Sequence, residues 1–187
     1  MSLDIKVMPL GPISANCYIL TDKKSRESAV IDPGDFNEAL KNAVKDLNIK
    51  YILLTHGHFD HIMGIQDFRK VYDVPVYAGE REAALLQDAH WNQSDIYTNG
   101  YTFSDAVYVK DGEMLHIAGF DIQVFFTPGH TPGGVCYYLA DEGILFSGDT
   151  LFHHSVGRTD FEGGSMSDLV RGIEEKLLCL PDETKVL

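Results

Sequence analysis

Cysteine is scarce in this chain: Cys17, Cys136 and Cys179 are the whole complement, odd in number and far apart. They cannot form the dense, even-numbered disulfide framework on which small secreted folds depend, and each is expected to pack as a small buried hydrophobe. No apolar run approaches the roughly 18 residues of a membrane-spanning helix. Residues Met1 to Val7 show no basic segment leading into an apolar stretch, so no secretory signal is read there. Basic residues are outnumbered, 15 against 28 acidic ones, leaving a formal net charge of −13. Nucleic acids and anionic membranes reward basic patches, so neither is expected as the main partner. Low-complexity segments, internal repeats and linkers rich in Pro, Gly or Ser are also missing. These absences leave a cytoplasmic globular protein, with residues 1–187 forming a single domain.

With 44% apolar residues the chain is long enough for one well-buried core. Strand-like runs recur at Ile5–Met8, Cys17–Thr21, Ser28–Ile31, Tyr51–Thr55, Val74–Ala78, Met114–Ile117, Ile122–Thr127, Gly134–Leu139 and Ile144–Ser147. Helical faces are spelled by Phe36, Leu40, Ala43, Val44 and Leu47; by Ile62, Ile65, Phe68 and Tyr72; and by Leu169, Ile173 and Leu177. A further helix is read around Gly79–Leu86. Two groups of strands with helices spread through the sequence imply sheets packed together and covered by helices.

The densest chemistry lies in six consecutive residues, His56-Gly57-His58-Phe59-Asp60-His61, on a strand-to-helix turn. Neutral imidazoles and carboxylates are what Zn²⁺ and its first-row neighbours bind. A hydrophobic core has no use for four such groups side by side, because burying them without partners costs several kcal/mol. Successive helical residues point about 100° apart, so two ions suit the cluster better than one, with His56 and His58 on the first, Asp60 and His61 on the second. The cluster lacks enough donors to complete two sites. His130, in a Pro-Gly-His-Thr-Pro-Gly loop, and Asp149, in Ser-Gly-Asp-Thr, follow strand-like runs and can supply them. Asp149 can bridge two cations with its two oxygens. Ligating imidazoles usually donate their second N–H to an oriented acceptor; Asp32 and Thr55 are the first candidates, Thr131 and Ser147 the next. His116 reads as structural, and His153-His154 as residues lining the cleft.

Taken in order, Asn16-Cys17-Tyr18-Ile19-Leu20, Ile31-Asp32-Pro33-Gly34, Thr55 to His61, Thr127-Pro128-Gly129-His130-Thr131-Pro132-Gly133 and Phe146-Ser147-Gly148-Asp149-Thr150 resemble the metallo-β-lactamase superfamily. The resemblance implies an α/β fold, a four-layer αββα sandwich with the metals at one edge of the sheets. Zinc β-lactamases commonly place a Cys where this chain has Asp149, which argues against antibiotic hydrolysis. The run from Asp149 to Phe161 is similar to glyoxalase II-like hydrolases of the short, single-domain branch. It implies a metal-dependent thioester hydrolase acting on a small acyl-thiol, with two Zn²⁺ per chain, Fe or Mn being alternatives. Asp60 would both ligate and orient the attacking hydroxide, while Arg158 and Phe152 would contact the substrate. Family members continue past a strand like Lys185-Val186-Leu187 into a Pro-Gly-His-Gly segment, so the natural chain is expected to run further. A second reading within the resemblance is iron-dependent dioxygenation of a glutathione persulfide, with His56, His130 and Asp149 as ligands. A purely structural zinc site is disfavoured, since such sites are usually closed and rich in Cys.

Overall fold

The structure, a computed structural model, describes residues 3–187; the signal-free reading of residues 1–7 therefore begins at Met1 and Ser2, outside the described residues. Strands β1 (Leu3–Leu10), β2 (Ala15–Asp22), β3 (Glu27–Ile31), β4 (Asn48–Leu53), β5 (Val76–Gly79) and β6 (Ala106–Val109) form one sheet in that spatial order. The first three pair antiparallel, and β3 to β6 run parallel. Parallel neighbours need crossover connections. Helix α1 (Glu38–Val44) links β3 to β4, and the pair α2 (Phe59–Ile62) and α3 (Ile65–Val71) links β4 to β5. Helices α4 (Ala83–Leu86) and α5 (Ser94–Tyr97) lie in the connection from β5 to β6. The second sheet has the order β13-β10-β9-β8-β7, built from β7 (Met114–Ile117), β8 (Phe120–Phe126), β9 (Val135–Leu139), β10 (Ile144–Phe146) and, after a small hairpin β11 (Leu151–Phe152) and β12 (Ser155–Val156), β13 (Lys185–Val186). Helix α6 (Met166–Gly172) continues as a wider turn over Ile173–Leu177.

Alternation along the strands sorts side chains into three apolar layers. Cys17, Ile19, Val30, Ile52 and Leu54 face outward onto Leu40, Val44, Ile62, Ile65 and Phe68 of α1 to α3. Their sequence neighbours Tyr18, Leu20, Ala29, Ile31 and Leu53 face inward and meet Leu115, Ile122, Val124, Val135, Tyr137 and Phe146 of the second sheet. On the far side of that sheet Cys136, Tyr138 and Leu145 meet Leu169, Ile173 and Leu177 of α6 and its continuation. The order of layers is thus helix, sheet, sheet, helix, the α/β sandwich expected. Burying a Leu, Ile or Phe side chain in such a layer contributes about 1.5–3 kcal/mol. Asn37 caps α1 by accepting from the N–H groups of Ala39 and Leu40.

Three local expectations are corrected, and one strand was not anticipated. Strand β4 stops at Leu53, because the Thr55 N–H leaves the ladder and donates to Asp32 Oδ1. The helical stretch after His61 is split at Gly64, where a Cβ would lie 2.5 Å from Pro33 O and Asp35 C. Strand β6 is not among the strand-like runs read from the sequence: it is only four residues long, between Asp105 and Lys110, and exposes Val107 and Tyr108. Cys179 is exposed rather than buried, its thiol donating to the carbonyls of Glu174 and Glu175.

Candidate metal centre

Each functional loop leaves the carboxyl end of a strand. Asp32 follows β3, the His56–His61 segment follows β4, His130 follows β8, and Asp149 follows β10. Loops on a rigid scaffold are where binding groups concentrate, and here they converge. Nitrogens of His56, His58 and His130 lie within 4.8 Å of one another, as do ligating atoms of His56, His61 and Asp149. His58 Nδ1 stands 2.9 Å from His130 Nε2. His61 Nε2 stands 3.2 Å from Asp60 Oδ2 and 3.6 Å from Asp149 Oδ1, and His130 Nε2 stands 3.5 Å from Asp149 Oδ2. All four imidazoles and Asp60 are buried, and Asp149 is half-buried between them.

Hydrogen bonds assign the tautomers. Asp32 accepts from the Thr55 N–H at 2.8 Å and from the Thr55 hydroxyl at 2.6 Å. With its proton committed there, Thr55 Oγ1 accepts from His56 Nδ1–H at 3.2 Å, leaving the Nε2 lone pair of His56 aimed into the cluster. His130 Nδ1–H donates to the Arg158 carbonyl at 2.8 Å, which frees its Nε2 in the same way. His61 Nδ1 lies 2.9 Å from Asp32 Oδ2, close enough for ion pairing though off-line for a hydrogen bond. Of the other hydroxyls expected to orient histidines, Ser147 donates instead to the carbonyls of Leu151 and Leu187, and Thr131 turns toward the Glu82 carboxylate rather than an imidazole.

The donor set fits divalent metal. His56 Nε2 is a buried acceptor with no hydrogen-bond partner, and such orphans are rare in native proteins. Burial first, then the neighbouring imidazoles, pushes the His56 pKa well below its usual value and that of His58 down to about 3. His130 is also lowered by burial, against the pull of Asp149. These rings are therefore neutral; His58 Nδ1–H donates to the free His130 Nε2 at 2.9 Å, a pairing that a metal ion would replace, while His56 Nε2 remains without a donor. His61 is the exception. Burial opposes its charge, but Asp32 and then Asp60 outweigh burial and raise its pKa well above 6.5. Asp60 is the mirror case, since burial would raise its pKa but the charge on His61 brings it down.

A cavity of about 970 Å³ opens beside Asp60, His61 and Asp149 and is lined also by Phe152, His153 and His154. Arg158 lies elsewhere, its guanidinium 4.2 Å above the Phe161 ring. That ring packs edge-on against His58 and His130. Asp160 holds Arg158 through two bonds of 2.7 and 2.6 Å, and the pairing brings the Asp160 pKa down to about 2. The two expected substrate contacts therefore occupy different walls. His116 and His90 are exposed and pair with Asp121 and Asp95.

A family model described as the metallo-beta-lactamase superfamily matches residues 10–187. The chain belongs to the metallo-beta-lactamase superfamily. A probable metallo-hydrolase of Bacillus subtilis, YqgX, is 40% identical over 96% of this chain and 86% of its own length. A hydroxyacylglutathione hydrolase of Haemophilus influenzae, GloC, is 31% identical over 99% of this chain and 89% of its own. Among solved structures, the BLEG-1 B3 metallo-beta-lactamase superposes with a TM-score of 0.90 at 41% identity, covering 98% of this chain and 90% of that one. The di-iron-bound form of TTHA1623 gives 0.85 at 33% identity, over 97% and 90%. ETHE1 from Myxococcus xanthus gives 0.76 at 26% identity, over 98% and 73%.

Within this superfamily member, sequence reasoning passed over one buried charged residue next to the centre. Glu82, fully buried, touches the backbone of both histidine-bearing loops. Burial lifts its pKa to about 7, against hydrogen bonds led by the Gly57 N–H. A carboxylate at the third position of Glu-Arg-Glu reads as a solvated charge, and nothing local marks it as buried.

Proposed function

We propose that this protein hydrolyses a thioester of a small acyl-thiol, of the kind hydroxyacylglutathione represents. The observation that carries the reading is the convergence of four buried imidazoles with Asp60 and Asp149 at the mouth of a cavity large enough for such a substrate. The likeness to a hydroxyacylglutathione hydrolase supports it. His56, His58 and His130 would hold one ion, and Asp60 and His61 a second, with Asp149 shared. Zinc is the metal we favour, with iron the rival that the di-iron relative supports. Bound divalent ions polarise a carbonyl and bring the pKa of water down toward about 7. Asp60, which would stay ionised beside the bound ions, accepts a hydrogen bond from the attacking water and aims it at the acyl carbon. The new C–O bond forms, the C–S bond breaks, and the sulfur leaves as a stable thiolate, so no strong general acid is needed. Phe152 and the cavity wall take the acyl side, and Arg158 receives an anionic end once Asp160 yields it. The same reading places the protein in the cytoplasm without a nucleic-acid or membrane partner, in keeping with three unpaired cysteines and a charge of −13. Among the described residues no helix is long and apolar enough to cross a membrane.

The ETHE1 likeness favours a second reading, iron-dependent oxygenation of a glutathione persulfide by His56, His130 and Asp149. The B3 metallo-beta-lactamase likeness adds a lactam to the substrates worth offering, so a carboxylate at position 149 does not by itself decide the substrate. Purified protein loaded with zinc or iron is assayed with a thioester, a glutathione persulfide plus O₂, and a chromogenic β-lactam. Thioester turnover that falls at least 100-fold in Asp60→Ala supports the proposal. O₂ consumption with the persulfide, or lactam cleavage, without thioester turnover overturns it.

A further inference from the structure

Behind the centre, the segment Gly79–Leu86 is wedged between the two loops that carry His56, His58 and His130. Glu82 Oε1 accepts from the Gly57 N–H at 2.8 Å, and Glu82 Oε2 accepts from the Gly133 N–H at 2.8 Å. The packing on both sides leaves no slack. A Cβ at Gly57 would lie 2.7 Å from Leu85 Cδ2 and 2.9 Å from Leu86 Cδ2, and one at Gly133 would lie 2.3 Å from Glu82 N. On the same segment a Cβ at Gly79 would lie 2.2 Å from the Gly133 carbonyl. Gly57 sits between the two nearest histidines, and Gly133 is three residues past His130.

We propose that Glu82 is a positioning residue whose carboxylate clasps the two histidine loops and sets the separation of His56 and His58 from His130. The proposal rests on the metal-centre part of the functional reading and is independent of the substrate. Two acceptor oxygens, each serving one loop, are what the role requires. Glutamine keeps the size but has a single acceptor, so its NH₂ must face one of the two N–H groups and release that loop. Orienting groups of this kind typically change metal affinity 10–100-fold when removed.

The test compares wild type, Glu82→Gln, Glu80→Gln as an exposed neighbour, and Val44→Ala as a control destabilised in the outer core. Zinc affinity is measured by competition with a chelator, and Co²⁺-substituted protein is examined by visible absorption, both well below the melting temperature. Glu82→Gln is expected to bind zinc at least 10-fold more weakly and to shift the Co²⁺ bands, while both controls keep the wild-type values. Wild-type affinity and bands in folded Glu82→Gln would overturn the clasp, as would an equal loss of affinity in Val44→Ala. If Glu82→Gln does not fold, amide exchange on wild type decides: Gly57 and Gly133 N–H groups opening together support the clasp, and independent opening refutes it. Wild-type protein that takes up neither zinc nor Co²⁺ instead refutes the metal centre itself.

Discussion

Replacing Asp32 by Asn tests how the histidines are oriented without disturbing the chain around them. Asp32 has φ of +52°, a left-handed conformation that Asn also tolerates, so the swap adds no backbone strain. Its carboxylate is 1% exposed, accepts twice from Thr55, and lies 2.9 Å from His61 Nδ1. An amide has one oxygen. In one orientation its NH₂ meets the Thr55 N–H; in the other it meets the Thr55 hydroxyl. In the second case the hydroxyl must accept from the amide and turn its own proton toward His56 Nδ1. That moves the His56 proton to Nε2, the nitrogen aimed into the cluster. A buried hydrogen bond to a charged group is worth about 1.5–3 kcal/mol, so Asp32→Asn should lower the unfolding free energy by roughly that much. Zinc affinity should fall about 10–100-fold. The penalty also depends on pH through His61, whose raised pKa Asp32 supports more than any other group. A raised His contributes fully below its unfolded value of about 6.5 and loses that contribution as pH climbs through the folded value. Metal-free Asp32→Asn is therefore penalised more in mildly acidic than in alkaline buffer. Urea titrations of both metal-free proteins in the two buffers, with zinc competition alongside, measure all three quantities. Equal stability in acid together with unchanged zinc affinity would refute the argument.

Gly148→Ala would place a Cβ 2.3 Å from Thr55 Oγ1 at φ of +49°, so it should cost at least about 2 kcal/mol in denaturant unfolding; a wild-type midpoint would contradict the geometry. Because His56, His58 and His130 are neutral and His61 is charged, the first ion should bind with little proton release and the second should displace a proton from His61. Calorimetry in buffers of different ionisation enthalpy reads this, and equal release at both steps would be inconsistent with it. Asp160→Asn removes the carboxylate that engages Arg158, so KM should fall for thioesters carrying a free carboxylate and stay unchanged for neutral ones. A uniform change in KM would show that Arg158 does not bind the anionic end.

The six-residue histidine cluster was legible because its composition contradicts any role in a core, whatever the fold around it. His130 and Asp149 followed because each comes directly after an apolar run that had to end in a loop. Asp32 was legible for the same reason, at the end of Val30-Ile31. Glu82 was not, since Glu80 is exposed and Glu82 fully buried within one turn, and only packing against the two loops separates them. Ser147 and Thr131 resemble Thr55 in sequence, yet they do not contact an imidazole; which hydroxyl does depends on how loops from different strands cross. The layers were legible because near-continuous apolar runs such as β2, β3, β4 and β9 fall in two groups with helical patterns spread between them. Strand β6 was not, because a four-residue run between charged residues at the sheet edge is too short to stand out.

The strands that seal the core also govern how much the centre can relax. At the end of each the last buried apolar side chain is followed within two residues by a buried polar one: Ile31 by Asp32, Leu54 by Thr55, Phe126 by Thr127, Phe146 by Ser147. These polar residues are tied to one another's loops. Asp32 holds Thr55, Thr127 Oγ1 lies 3.0 Å from Thr150 Oγ1, and Tyr137 donates to the Leu54 carbonyl. Leaving any of these groups unpaired costs about 1–3 kcal/mol. The histidine loops therefore cannot open without breaking bonds that belong to the fold rather than to the metal. In a structural zinc site the ion supplies the folding energy; here the apolar layers and the polar rim supply it. Chelated protein should accordingly keep its far-UV and near-UV circular dichroism while losing activity, and collapse of the near-UV signal on chelation would show that the ion, not the rim, holds the loops.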